Sequence, residues 1–145
     1  MSAGNWTIYN DFKNTLGQKA LNLSSDAFKV ALFTSTSNAG SASLSGAQYA
    51  NLTNEVAAAN GYTTGGVTVT PSWTASGGTL TFDTSDATWT AAGGPITARF
   101  AVVYDSTATN KDCVAFCLLD STPADVSTSD GNTLTLQISN VFSLS

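Results

Sequence analysis

DATWTAAGGPITARFAVVYD, residues 86–105, carries the clearest structural signal in this 145-residue chain. Its second half is apolar, and side chains two positions apart lie on the same face of a strand. One face would carry Ile96, Ala98, Phe100, Val102 and Tyr104, and the other Thr97, Arg99, Ala101 and Val103. The glycines and the proline that precede it form a turn. The stretch therefore predicts a short strand, a turn and a long, largely buried strand.

Segments of the same kind occur at short intervals along the chain. DAFKVALFTST, which starts at Asp26, predicts a strand as far as about Thr34, and GVTVTPSW, GTLTFD, CVAFCLLD, NTLTLQIS and NVFSLS follow. Turn-forming sequences such as SGG, DTSD and STPADVSTSDGN separate them. Roughly seven or eight short strands, with turn signals every 8–12 residues, are typical of a sandwich. The predicted fold is an all-β, antiparallel β-sandwich, jelly-roll-like, in one domain over residues 1–145.

The N-terminal part of the chain predicts one short helix. In WTIYNDFKNTL, residues 6–16, the apolar side chains Ile8, Phe12 and Leu16 recur every four positions, and a glycine follows. This spacing is typical of an amphipathic helix with a natural stop. Residues 1–20 are expected to form an arm that docks on its own sandwich or on a neighbouring molecule.

The composition argues against several kinds of partner. Charged residues make up 10% of the chain and the net charge is −5, whereas 18 Ser and 22 Thr supply most of the polar surface. The five cations are scattered and form no basic patch, so no nucleic-acid partner is expected. No apolar run approaches the ~20 residues of a membrane span, so no membrane partner is expected either. The N-terminus lacks the pattern of a secretion signal, which predicts a protein made in the cytoplasm.

The two cysteines are predicted to be free core thiols. Cys113 and Cys117 lie four positions apart in CVAFCLLD, so on a strand they share a face at a separation of about 13 Å. A disulfide needs Cα atoms within roughly 7 Å, which this spacing does not allow. The chain has no other cysteine and no histidine. No metal site and no cofactor are therefore predicted.

Catalysis is not predicted either. The usual activating base is missing because the chain has no histidine. Paired carboxylates could still act as acid and base, as in glycosidases. Most of the candidates stand at strand ends, where aspartate is expected to initiate turns. These candidates are Glu55, Asp83, Asp86, Asp105 and Asp120. DTSD, residues 83–86, has too few carboxylates for a convincing Ca²⁺ loop.

Arg99, the single arginine of the chain, stands within an apolar run. A buried guanidinium without a partner would be very costly, whereas a carboxylate would satisfy it. No other titratable group adjoins it in the sequence. Arg99 is therefore interpreted as a structural pin, with Glu55 and Asp120 as the candidate partners.

Aromatic residues supply the candidate contact sites. Trp89 alternates with Ala87 in ATWT and is predicted to be a core residue, whereas Trp73 fits either a core or an exposed position. At the N-terminus, Trp6, Ile8, Tyr9 and Phe12 are the candidate residues for contact with a partner.

Several segments resemble small structural proteins of tailed-bacteriophage virions. The similar stretches are IYNDFKNTLGQKALNLSSDAFKVALFTST, YANLTNEVAAANGYTTGGVTVT and ATWTAAGGPITARFAVVYD. The resemblance covers nearly the whole chain and implies a virion structural component, similar to capsid decoration (cement) proteins. It also implies that Arg99 belongs to a recurring structural motif.

The resemblance gives the expected function. It is that of a non-enzymatic decoration protein on the capsid surface, which binds the lattice of the major capsid protein and self-associates as a dimer or trimer. A structural component of the tail or of the head–tail junction is one alternative. A carbohydrate-binding β-sandwich module, with Trp73 or Trp89 as the stacking platform, is another.

Overall fold

The computed structural model describes residues 3–145, and in that range it contains twelve strands and one α-helix. The prediction of an antiparallel, sandwich-like all-β fold with one short helix is confirmed. The jelly-roll strand order stays a prediction. The elements are β1 Thr7–Ile8, α1 Asn10–Gly17, β2 Phe28–Phe33, β3 Val67–Val69, β4 Pro71–Ser76, β5 Thr79–Thr84, β6 Ala87–Thr90, β7 Ile96–Ala98, β8 Phe100–Asp105, β9 Cys113–Leu118, β10 Val126–Thr128, β11 Thr133–Leu136 and β12 Phe142–Leu144.

Four antiparallel sheets make up the fold. The largest has the order β1-β9-β8-β2-β3, a second has the order β12-β5-β4, and β10-β7 and β11-β6 are two-stranded. Strands β2 and β8 pair over six residues, from Phe28 opposite Asp105 to Phe33 opposite Phe100. Strands β2, β8 and β9 are buried on both faces. This two-sided burial explains why their sequences are nearly continuous apolar runs.

An aromatic cluster joins the layers. The ring of Phe82 on β5 lies 5.1 Å from that of Phe28 on β2 and 5.6 Å from that of Phe142 on β12. Phe142 in turn meets Phe12 of the helix edge to face at 5.4 Å. Large buried rings contribute strongly to core stability through the area they bury. The two larger sheets and the helix therefore share one hydrophobic core.

The N-terminal segment docks on its own domain. Thr7 and Ile8 pair antiparallel with Phe116 and Ala115 of β9. The helix consequently begins at Asn10, so the prediction of a helix from residue 6 is wrong for its first turn. Pairing with a strand more than 100 residues away overrides the local four-residue spacing. Residues 1 and 2 of the predicted arm lie outside the described residues.

The predicted long strand over residues 96–104 is divided at Arg99. β7 pairs with β10, whereas β8 pairs with β2 and β9. The backbone of Arg99 lies between them: its N–H donates to Phe33 O at 2.8 Å, and its carbonyl accepts from Leu119 N at 2.9 Å. Residue 99 is therefore where the chain passes from one sheet to another.

Both cysteines are buried and free, as predicted. Among residues 3–145, no helix is long and apolar enough to cross a bilayer.

Candidate functional site

Arg99 forms an ion pair with Asp125, not with either of the predicted partners. Its Nε lies 2.8 Å from Asp125 Oδ1 and donates to it. The side chains are 24% and 45% exposed, so water screens the pair. Asp125 immediately precedes β10, and the pair therefore fastens this strand to the junction between β7 and β8. The expectation that Glu55 or Asp120 pairs with Arg99 is wrong.

Glu55 anchors a cluster of tyrosines instead. Its carboxylate accepts hydrogen bonds from the hydroxyls of Tyr49 and Tyr62 and from the backbone N–H of Gly65, the last two at 2.7 Å. The Tyr62 hydroxyl also accepts from Leu32 N at 3.0 Å. Burial, followed by the hydrogen bond to Glu55, raises the pKa of both tyrosines. Both carboxylate oxygens are in use, so the cluster holds loop segments against β2.

Asp120 stabilises a turn. Its Oδ1 accepts from the backbone N–H of Thr122 at 3.0 Å and from the Thr122 hydroxyl at 2.9 Å. The backbone hydrogen bond, followed by the hydroxyl, holds the pKa of Asp120 below its usual value. The residue serves local turn geometry, as expected for aspartate after a strand.

The N-terminal candidates for partner contact are mostly core residues. Tyr9 and Phe12 are buried, and the Tyr9 hydroxyl donates to Ala39 O at 2.6 Å. Trp6 and Ile8 are half-buried and pack against the same core. The interpretation of Tyr9 and Phe12 as contact residues is therefore wrong, because the domain itself occupies their surfaces.

The outer faces of the strands carry paired hydroxyl groups. Outward-facing positions of neighbouring strands stand opposite one another, so their side chains can hydrogen-bond across the pair. The pairs are Thr88–Thr135 at 3.5 Å, Thr90–Thr133 at 3.2 Å, Thr97–Ser127 at 2.9 Å and Thr81–Ser143 at 3.3 Å. The outer face of the β6–β11 pair carries hydroxyl groups and no charged side chain on these strands. Arg99 and Asp125 continue the face of Thr97 and Ser127, and Asp83 shares the outer face of β5 with Thr81.

The end of the β12-β5-β4 sheet carries an apolar row, formed by the exposed Ala75 and Leu144 and the half-buried Leu80. Leu80 lies opposite both Ala75 and Leu144 in the strand register. Leu144 is 41% exposed, the most exposed large apolar side chain of the described residues. The sequence NVFSLS predicted a strand. It did not indicate that the sheet extends beyond the core at this end.

A cavity of about 470 Å³ opens beside Trp73. Trp73 is half-buried and packs on Phe142, with ring centroids 6.2 Å apart. Lys19, Asn22 and Asp26 contribute polar groups to the lining. By contrast, Trp89 is 3% exposed, which confirms its predicted place in the core. The polar lining comes from the loop between α1 and β2, which shows no motif in the sequence.

No group of three or more Cys, Asp or Glu side chains that could hold a metal ion is present within residues 3–145.

Comparisons with protein-family models, with curated proteins and with solved structures give no match to this chain.

Proposed function

We propose that this chain is a non-enzymatic structural protein of a tailed-bacteriophage virion. Within that class we propose a decoration, or cement, protein that binds the assembled head. The segments that resemble such proteins supply the phage context. The observation that supports a binding role is the neutral, hydroxyl-bearing outer face of the β6–β11 pair.

Neutral hydroxyl faces suit a protein that lies against neighbours. Hydroxyl groups are removed from water at a lower cost than ammonium or carboxylate groups. The chain has a net charge of −5, so charged faces would repel a second copy, whereas neutral faces would not. Such surfaces therefore fit a crowded lattice in which copies of the protein lie side by side.

The apolar row at the end of the β12-β5-β4 sheet is our proposed contact with the capsid shell. It combines the exposed Leu144 with a hairpin whose turn, Gly77 and Gly78, lies in open space: a Cβ at either glycine would meet no atom within 4 Å. The turn of this hairpin is therefore open to solvent. Its strands carry no charged residue between Pro71 and Phe82, so no ion needs to be desolvated.

The proposed mechanism is mechanical. A rigid domain that bridges capsid subunits adds buried area at their seams, of order 1,000 Å² for a specific interface. Binding only the assembled lattice stabilises that lattice by mass action. Self-association as a dimer or trimer would raise the effective concentration over a symmetric shell and tighten attachment.

The test is the copy number of this chain in purified virions of the phage that encodes it. Quantitative mass spectrometry gives its ratio to the major capsid protein. A ratio near one, or a simple fraction of it, is expected for decoration of the whole lattice. A few copies per particle would place the protein in the tail or the head–tail junction, and absence from the particle would refute the proposal.

Variants test the contact surface. Heads that lack the chain would be mixed with purified wild-type protein, Leu144→Asp or the matched control Thr109→Asp, which adds a charge on an exposed loop. Bound copies are counted after sedimentation. We expect Leu144→Asp to lose at least tenfold in occupancy and the control to bind like wild type. Equal binding of all three would show that the apolar row is not the contact.

The cavity beside Trp73 favours one further candidate, a carbohydrate-binding module. A half-exposed indole beside Asn22, Asp26 and Lys19 offers a ring for stacking and groups for hydrogen bonds to sugar hydroxyls. A glycan array with the wild type and Trp73→Ala tests it. Binding that is lost in the variant would support this candidate, and a wild type that binds no glycan would eliminate it. Trp89 is not a platform, because it is buried.

A further inference from the structure

Strand β4, Pro71–Ser76, forms a free edge of the β12-β5-β4 sheet. It pairs with β5 on one side only. With six residues it is the longest edge strand within residues 3–145, because the others have two to four. Four of its six residues are exposed, including the last three. An exposed sheet edge presents unpaired backbone groups, which are a template for a further strand.

The turn of the hairpin determines which backbone groups of β4 point outward. Gly77 and Gly78 both have positive φ, at 57° and 83°, as a two-residue type I′ turn requires. Ser76 flanks this turn, so it and every second residue before it hydrogen-bond to β5. The N–H and C=O groups of Trp73 and Ala75 alternate with these and point away from β5. No other backbone partner is found for them among the described residues.

This edge lacks the features that usually prevent strand pairing. Natural edge strands are protected by charged side chains, bulges or prolines. β4 pairs with β5 residue for residue, carries no charged side chain and has its one proline at the first position. Pro71 removes one N–H group but leaves those of Trp73 and Ala75. Because the chain has a net charge of −5, a second copy meets least repulsion at an uncharged edge.

We propose that β4 pairs antiparallel with β4 of a second copy of this chain, about a twofold axis at Thr74. In this register Trp73 lies opposite the partner's Ala75, so every outward N–H group of the two residues finds a carbonyl acceptor. A register centred on Trp73 would set Ala75 opposite the partner's Pro71, which has no N–H to donate. The same surface serves both copies, so the assembly closes as a dimer.

The pairing joins the two three-stranded sheets into one continuous sheet. On its outer face Thr74 would meet the partner's Thr74, like the hydroxyl pairs between other strands. Leu144 lies on β12, at the opposite edge, and stays free for the proposed contact with the shell. The inference rests on the self-association within the proposed function, but its test uses the purified chain and not virions. The dimer and the virion role can therefore fail separately.

Introduced cysteines test the register. Thr74→Cys places two thiols opposite each other across the axis, where a disulfide can form. Ser72→Cys is the matched control: it is exposed on the same face of the same strand, but the two copies would stand about 13 Å apart. Cys113 and Cys117 are buried and do not compete. Under mild oxidation, non-reducing electrophoresis should show about fivefold more dimer for Thr74→Cys than for the control. Equal cross-linking of both variants, or none, would overturn the proposal.

Charged substitutions test the association itself. Analytical ultracentrifugation at about 5 to 200 µM should show the wild type in equilibrium between monomer and dimer, because one strand edge buries less area than a standard interface. Thr74→Lys and Thr74→Asp should each weaken association about tenfold, since like charges meet at the axis, and an equimolar mixture of the two should restore it. Thr88→Lys, at an exposed position of β6, should associate like the wild type. A wild type that stays monomeric, or a mixture no more associated than either variant alone, would overturn the proposal.

Discussion

Replacing Asp105 by Asn should change how the stability of this protein depends on pH. In the wild type, burial and the facing Asp26 carboxyl raise the pKa of Asp105 from 3.8 to about 6. The folded state therefore holds this proton more tightly than the unfolded chain does. Asparagine carries no titrating group, keeps an acceptor oxygen and supplies an N–H that can donate to Asp26.

The direction and size follow from linkage. Below pH 3.8 the carboxyl is protonated in both states, and its full contribution to stability is present. That contribution is lost as the pH rises through about 6, because the folded state must then carry the buried charge. At ~1.36 kcal/mol for each pH unit, the difference between the two pKa values corresponds to about 3 kcal/mol. Asp26 shares the proton with Asp105, so this loss of stability is assigned to the two carboxyl groups together.

Urea unfolding followed by tryptophan fluorescence, at pH values from about 4 to 8, measures the free energy of unfolding of both proteins. The two curves should lie close together near pH 4. Near pH 8 the variant should be more stable by up to about 3 kcal/mol, or roughly 10 °C in midpoint for a chain of this size. Parallel curves would refute the reasoning, as would a wild type that gains stability over the variant as the pH rises.

Three further predictions concern other parts of the fold. Asp125→Asn should lower the free energy of unfolding by no more than about 1 kcal/mol, because the pair with Arg99 is partly exposed; a loss above 3 kcal/mol in urea unfolding would contradict this. Trp89→Ala should cost about 3–5 kcal/mol through the cavity it leaves, measured in the same way, and an unchanged stability would remove Trp89 from the core. Cys113 and Cys117 should react with a thiol reagent at neutral pH only after unfolding, since burial raises the pKa of Cys117 to about 12 and that of Cys113 further; rapid labelling of the native protein, followed by mass spectrometry, would show that they are accessible.

The fold class could be predicted from the sequence because apolar runs between turn-forming segments become strands in the structure. β2 lies within the predicted Asp26 to Thr34 run, because its apolar residues face a core on both sides. The errors arise where distant partners decide the outcome. Thr7 and Ile8 form a strand because β9 lies beside them, and no residue near them signals this pairing. Arg99 interrupts an apolar run because the chain changes sheets there.

The contacts of the candidate sites could be predicted only in part. An arginine in an apolar run signals a carboxylate partner, but Asp125 is brought to it by the pairing of β10 with β7, which the sequence does not specify. The Asp26–Asp105 pair has the same origin. Each aspartate is typical of a strand end, and the antiparallel register that sets Phe28 opposite Asp105 brings the end of β8 beside the loop that holds Asp26.

The pairing of β1 with β9 also governs how the protein folds. Thr7 pairs with Phe116, so the outer strand of the largest sheet must wait for a partner made more than 100 residues later. β5 waits in the same way for β12. Contacts between distant residues slow folding because long loops must close before any pairing energy is gained. During synthesis β2 can pair with β3 and β4 with β5, but both larger sheets are completed only after β9 and β12 have been made.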